Sequence, residues 1–289
     1  MLTYQAPAKI NLTLEVLGRR PDGYHEVATV LQTIKLWDTI VFREAADLRL
    51  LCEAPDLRDE ENLCLKAAEL LKSAAGHKGG AEIELIKRIP VAAGLGGGST
   101  DAATTLLGLD ALWGLGLGIT GLLPLAEALG ADVSFFLYRG TALGEGIGAK
   151  VTPLPAVPPM WLVLLHPPFS FSEKTRRLYV SLDRGSFSRG EATSRLISDL
   201  QDQRPIERGH LFNVFERVAY RVFPGLEAYR TAFLEAEAPS VHLSGTGPTL
   251  YTPLEDEAKA RRIYEKLKAK GLEAYLVQSL GATETPLSA

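Results

Sequence analysis

Residues 94–101 read Gly94-Leu95-Gly96-Gly97-Gly98-Ser99-Thr100-Asp101, with four glycines in the first five positions. Such a run offers bare backbone N–H groups to an anion, because glycine accepts positive φ and has no Cβ to keep a phosphate away. A helix beginning just after it adds unpaired amides and the positive end of its dipole. Successive amides in such a turn form a concave anion nest. The chemistry expected here is phosphate binding. A Walker A loop is excluded, since Ser99 and Thr100 follow Gly98 with no lysine. A dinucleotide fingerprint starting at Gly94 requires glycine where Ser99 stands, and lacks its acidic residue about 20 positions on. The cation for a bound nucleotide therefore has to come from elsewhere in the chain.

Four other segments carry residues suited to chemistry. Lys9 and Asn11 lie in Pro7-Ala8-Lys9-Ile10-Asn11-Leu12, and Lys9 can supply the missing positive charge. Tyr24 and His25 stand beside a turn in Gly23-Tyr24-His25-Glu26. Asp132 follows a helix stop in Gly130-Ala131-Asp132-Val133 and can face a substrate hydroxyl. Leu243-Ser244-Gly245-Thr246-Gly247 is a second glycine turn. Taken singly, each has a plain structural account: a surface lysine, a hairpin with a packed tyrosine, a helix cap at Asp132, a tight turn.

The elements that must hold these residues follow from the hydrophobic pattern. Alternation over 82–89 predicts a strand reaching Pro90, and Ser99 or Thr100 then caps a helix running to about Trp113. Strands are expected at 10–17, 27–34 and 39–43, with a turn at Asp22-Gly23. Helices are expected over 62–75 and 122–129. The Pro-rich stretch 153–159 is the best linker. Beyond it come a buried strand at 161–165, a mostly helical stretch 210–237 broken at Pro224-Gly225, and strands at 241–243 and 249–252. A charged helix over 255–270 and a strand near 274–277 complete the pattern. Strands and helices mix without regular alternation, which gives an α+β fold of two domains, 1–155 and 156–289.

Composition removes several function classes. Of 289 residues, 46% are hydrophobic and 23% charged, the balance of an ordinary soluble globular chain. A net charge of −4 gives no support to nucleic-acid or anionic-membrane partners. No apolar run is long enough to span a bilayer, and no signal peptide is visible at the N-terminus. Cys52 and Cys64 are the only cysteines, and two buried thiols in a reducing cytoplasm are expected rather than a disulfide.

Taken in order, these segments and the longer stretch Pro90–Ala103 resemble the superfamily of galactokinase, homoserine kinase, mevalonate kinase and phosphomevalonate kinase. The likeness covers nearly the whole chain. The glycine loop and the Leu-Ser-Gly-Thr-Gly turn mark the superfamily. The Pro-Ala-Lys-Ile-Asn-Leu and Asp-Gly-Tyr-His segments resemble its diphosphocytidyl-methylerythritol branch. The resemblance implies a ribosomal-protein-like N-terminal ATP-binding domain, a ferredoxin-like C-terminal domain and an active site in the cleft between them. It implies ATP-dependent phosphorylation, with Mg²⁺, of the 2-hydroxyl of a cytidine diphosphate-linked methylerythritol in the non-mevalonate isoprenoid route. Competing readings are another small-molecule kinase of the superfamily, acting on homoserine, mevalonate or a sugar, or a catalytically inactive regulatory member.

By position, the resemblance makes Lys9 and Asp132 the catalytic pair. It assigns the ATP phosphates to Gly94, Leu95, Gly96, Gly97, Gly98, Ser99 and Thr100, with the Ser99 or Thr100 hydroxyl turned to the metal. Asn62 and Lys87 fall on the adenine side. Asn11, Tyr24, His25, Thr175 and Tyr179 fall on the acceptor side, with Tyr24 stacking on cytosine and His25 hydrogen-bonding it. Two departures stand out: Ser134 replaces a usual proline, and Lys174 replaces a usual serine beside Thr175.

Overall fold

Two long strands frame the molecule in the computed structural model, which describes residues 1–53, 61–168, 173–283 and 287–288. β1 (Leu2–Arg19) and β2 (His25–Ala45) pair antiparallel around the turn at Asp22-Gly23. The separate strands expected at 27–34 and 39–43 are one strand of 21 residues. Its interruption is a register shift: Pro7 faces Trp37 while Ala8 faces Ile34, so Lys35 and Leu36 are absorbed as a bulge. A second shift, between Asn11 and Thr13, adds a residue to β1 instead.

β3 (Arg49–Cys52), α1 (Leu63–Ala75) and β4 (Gly80–Ile86) follow. Then come α2 (Gly97–Leu112), α3 (Gly118–Leu129), α4 (Ala131–Tyr138), β5 (Thr141–Gly146) and β6 (Lys150–Pro153). After the linker lie β7 (Trp161–Leu165), α5 (Lys174–Ser181), α6 (Glu191–Gln201), β8 (Phe212–Asn213), α7 (Glu216–Val222) and α8 (Leu226–Glu235). β9 (His242–Leu243), β10 (Leu250–Leu254), α9 (Glu257–Ala269), β11 (Ala274–Gln278) and β12 (Leu287–Ser288) close the chain.

The first sheet runs β12-β1-β2-β4-β3, with β5 added along β2, β6 paired to β5, and β8 parallel to β1. The second is antiparallel, ordered β11-β7-β10-β9. The expected α+β class is observed. β8 and β12, both from beyond the Pro-rich stretch, complete the first sheet.

β1 is buried almost without a break from Ala6 to Val16, because both faces of its sheet are covered. One face meets the helices, in a cluster that includes Phe42, Leu106, Phe135 and Phe136. The other joins Ile10, Leu12 and Ile34 to Leu162, Leu164 and Tyr251 of the second sheet. Phe215, Phe223 and Phe233 anchor a third cluster under the C-terminal helices. Each such fully buried apolar side chain contributes roughly 1.5–3 kcal/mol.

Local chemistry fixes the element ends. Asn62 caps α1 by accepting from the Cys64 N–H at 2.8 Å. β4 stops at Ile86 and not at Pro90, because the Arg88 and Ile89 N–H groups turn to the Asp38 carboxylate, at 2.5 and 2.8 Å. α2 starts earlier than expected: Gly96, at φ +74°, is its N-cap, and Ser99 and Thr100 lie inside its first turn. Likewise Gly130, not Asp132, precedes α4, and Asp132 sits in that helix's first turn. Cys52 and Cys64 are both buried.

Candidate active site

The glycine loop is wedged against the second glycine turn. Gly94 has φ +84°, and a Cβ there would lie 2.3 Å from the Ser244 carbonyl oxygen, so only glycine fits. The loop is held by its carbonyls. Lys9 N–H donates to Leu95 O at 2.9 Å, Ser244 Oγ to Gly94 O at 3.0 Å and Thr249 N–H to Ala93 O at 3.2 Å. Asn213 of β8 steadies the second turn by donating to the Leu243 and Gly245 carbonyls at 2.8 Å each. With the carbonyls occupied, the amides at the start of α2 remain for an anion.

A cavity of about 330 Å³ opens beside the loop, walled by Lys9, Asn11, Gly94, Gly96, Ser99 and Asp132. Lys9 is only 4% exposed, and its ammonium donates to Asn11 Oδ1 at 2.8 Å. It also lies 3.3 Å from Asp132 Oδ2, whose side chain keeps 36% exposure. A buried cation thus meets a carboxylate open to solvent, next to a phosphate-type loop. Of the two hydroxyls expected near a metal, Ser99 lines this cavity, whereas Thr100 is fully buried and its Oγ1 has no partner.

Through Ala131, Ile147, Thr175 and Tyr179 this cavity continues into a larger one of about 1080 Å³. Tyr24 and His25 lie on its wall, with Tyr24 63% exposed. The His25 ring stacks on Tyr179 at 4.7 Å and 26°. Burial, then the nearby Arg19 charge, hold His25 below its usual range, so it is neutral at pH 7. Burial, with a smaller effect from Asp132, pushes the Tyr179 hydroxyl up to about 12. Thr175 Oγ1 meets Thr246 Oγ1 at 3.1 Å, linking α5 to the second glycine turn. Lys174 donates to the Gly247 carbonyl, and burial followed by the Lys9 charge brings its ammonium down to about 8.

Asn62 and Lys87 meet at a third cavity, of about 340 Å³, on the Gly97–Gly98 part of the loop. Lys87 does not extend freely there. Its ammonium is shared by Asp38 at 2.5 Å and Asp101 at 2.7 Å, both nearly inaccessible. Burial pushes the Asp101 carboxyl up to about 8, Lys87 draws it down and Asp38 adds to the rise, so the cluster holds an extra proton at pH 7. Burial pulls Lys87 down, but the two carboxylates outweigh it and its net shift is upward.

The residues expected from the sequence therefore lie on three cavities around one loop, apart from Leu95 and Thr100, whose side chains are buried. Sequence reasoning missed Asp38 and Thr29, and it singled out the 243–247 turn without giving Gly245 and Thr246 a role in the site. Asp38 had a signal, a carboxylate between Trp37 and Thr39 in an otherwise apolar stretch. Thr29 had none.

Residues 62–140 match the GHMP kinases N terminal domain and residues 189–273 the GHMP kinases C terminal family. A 4-diphosphocytidyl-2-C-methyl-D-erythritol kinase of Dehalococcoides mccartyi is 45% identical over 282 residues, covering 97% of this chain and 99% of the relative. One from Geobacillus kaustophilus is 39% identical, covering 97% of each. A crystal structure of 4-(cytidine 5'-diphospho)-2C-methyl-D-erythritol kinase superposes with TM-score 0.82 at 35% identity, over 96% of this chain and 99% of that one. A homoserine kinase from Cytophaga hutchinsonii, at 20% identity and TM-score 0.75 over 97% of this chain and 94% of its own, shares the fold. With a phosphate-type loop, a buried lysine against an open aspartate and relatives of this identity along its length, the chain belongs to the 4-diphosphocytidyl-2-C-methyl-D-erythritol kinase family of GHMP kinases.

Proposed function

We propose that this chain transfers the terminal phosphoryl group of ATP to the 2-hydroxyl of 4-diphosphocytidyl-2-C-methyl-D-erythritol. The observation that carries the reading is the Lys9–Asp132 pair, 3.3 Å apart where the glycine-loop cavity joins the cavity bearing Tyr24 and His25. Residues 1–155 are read as the ATP-binding domain and 156–289 as the C-terminal domain. Two buried cysteines suit a reducing cytoplasm. Among the described residues no helix is long and apolar enough to cross a membrane.

Phosphoryl transfer through a loose transition state asks the protein to position groups and neutralise charge. Loop amides from Gly94 to Ser99 hold the donor phosphates, and Asn62 and the Lys87 cluster bound the adenine side. Tyr24 stacks on the cytosine, and neutral His25 hydrogen-bonds its edge. Asp132 accepts the acceptor's hydroxyl proton as the new P–O bond forms, since an alcohol is far too weak an acid to release it beforehand. Lys9 sits close enough to screen the developing negative charge.

The donor set suits Mg²⁺, a hard cation that takes one or two protein oxygens and completes its shell with substrate phosphates. Ser99 Oγ and the Asp132 carboxylate line one cavity, while no group of three His, Cys, Asp or Glu among the described residues forms a cage of its own. When bound, the ion neutralises charge on the β- and γ-phosphates. ADP release measured with Mg-ATP against diphosphocytidyl methylerythritol, mevalonate and homoserine in parallel tests the reading. Turnover of the cytidine substrate alone is expected; faster release with mevalonate or homoserine overturns it.

A further inference from the structure

Behind the Lys9–Asp132 pair lies a buried hydrogen-bond chain whose direction can be worked out atom by atom. Thr29 on β2 is 4% exposed and lines the same cavity as Lys9 and Asp132. Its hydroxyl lies 2.6 Å from the Thr13 carbonyl oxygen and 2.8 Å from Asn11 Nδ2. A carbonyl only accepts, so the single Thr29 proton goes to Thr13 O. The Thr29 oxygen must then accept from the Asn11 amide. That leaves the Asn11 oxygen, and not its NH₂, facing the Lys9 ammonium at 2.8 Å.

The bulge in β1 makes this possible. At the register shift between Asn11 and Thr13, the Val30 N–H donates to the Thr13 hydroxyl at 3.0 Å. The Thr13 carbonyl is thereby available to the Thr29 hydroxyl. The far end is also anchored. Thr193 Oγ1 on α6 donates to Thr13 Oγ1 at 2.9 Å, and the buried Glu15 carboxylate accepts the Thr193 N–H at 2.7 Å.

We propose that Thr29 is a positioning residue for the phosphoryl transfer: its hydroxyl fixes the Asn11 amide orientation, and through it the place of the Lys9 ammonium opposite Asp132. Without that oxygen, Asn11 Nδ2 is buried with no acceptor, and a flipped amide sets its N–H groups against a cation. Either outcome displaces Lys9 from Asp132. The inference rests on the reading of Lys9 and Asp132 as the reacting pair.

Thr29→Val removes the hydroxyl at nearly constant volume, and Thr29→Ser and Thr29→Ala differ from each other by the hydroxyl alone. The expected result is a fall in kcat of about 10- to 100-fold for Thr29→Val and Thr29→Ala, the size of one buried polar group left unpaired. KM for ATP stays within about twofold, and Thr29→Ser retains most of the wild-type kcat. In an Asn11→Ala background, Thr29→Val should cost nothing further, because its effect passes through Asn11. Equal losses in Thr29→Ser and Thr29→Ala, or full additivity with Asn11→Ala, overturn the proposal. The Ser/Ala pair decides the matter if the valine variant does not fold. Asn11 side-chain amide protons, followed by NMR in the substrate-free protein, test the relay apart from turnover. Slow exchange is expected in wild type and Thr29→Ser and fast exchange in Thr29→Ala, and equal exchange in all three overturns it. Wild-type protein that fails to turn over the cytidine substrate would break the functional reading while leaving that exchange test to judge the relay.

Discussion

Lys9 and Lys87 line different cavities of one glycine loop, and each meets carboxylates, yet the two arrangements differ in kind. Lys87 is saturated: two buried aspartates take its ammonium at 2.5 and 2.7 Å, and Asp38 also accepts the Arg88 and Ile89 N–H groups. Lys9 has one neutral partner in Asn11, and its one carboxylate neighbour stands at 3.3 Å with a third of its surface open. A charge cluster closed on itself can hold a fold together but has nothing left to offer a ligand. An underused ammonium beside a solvent-facing carboxylate is organised for a third party. On the proposed reading, the difference separates the group that shapes the loop from the groups that act beside it.

The largest test of that division is Asp132→Asn. Turnover is expected to fall about 10²- to 10⁴-fold, the usual worth of a general base, with the chain still folded because the Asp132 side chain is about a third exposed and caps nothing. Near-normal kcat would break the comparison at its active side. Lys87→Met attacks the other side. Leaving the buried Asp38–Asp101 pair without its cation is expected to cost about 3–5 kcal/mol in urea unfolding. A Lys87→Met protein of wild-type stability would mean that the closed cluster holds nothing.

Tyr24→Ala sharpens the contrast from the acceptor cavity. Loss of one stacking face is worth about 1–3 kcal/mol, so the acceptor KM should rise while the ATP KM and the unfolding midpoint hold. An unchanged acceptor KM would remove Tyr24 from the site. Asp101→Asn should have the smallest effect at pH 7, because burial and Asp38 already keep a proton on this carboxyl, at about 8 against a usual 3.8. The folded chain retains a proton that the unfolded chain gives up above about pH 4. This group's contribution is therefore full below that pH and is lost as pH rises through about 8. Asp101→Asn should flatten that decline in a melting-temperature series, and an unaltered slope would take the proton away from Asp101.

The sequence displayed the parts that depend on residue type and local spacing. Glycines at 94, 96, 97 and 98, the helix end at Trp113 and the helix expected over 62–75 are all local signals, and the structure agrees with them. What it hid depends on partners distant in the chain. No neighbour of Lys87 indicates that Asp38 will reach it, and the same carboxylate shortens β4 by accepting the Arg88 and Ile89 N–H groups. The break between the two halves of β2 looked like a strand end, because bulged Lys35 and Leu36 interrupt the alternation. Gly96 took the cap role from Ser99 because the wedged loop needs a positive φ one turn earlier. Thr29 looks like any threonine in a strand, and its importance comes from a carbonyl across the hairpin.

The apolar layer that joins Ile10, Leu12 and Ile34 to Leu162, Leu164 and Tyr251 belongs to neither sheet alone. Residues 154–160 look like a place to cut, yet either half produced separately would expose that layer, and the first would also lack β8 and β12 beside β1. Neither half is expected to be soluble by itself. Co-expressed, the two should find each other through that layer and regain turnover together, making the linker a site for split-protein reconstitution.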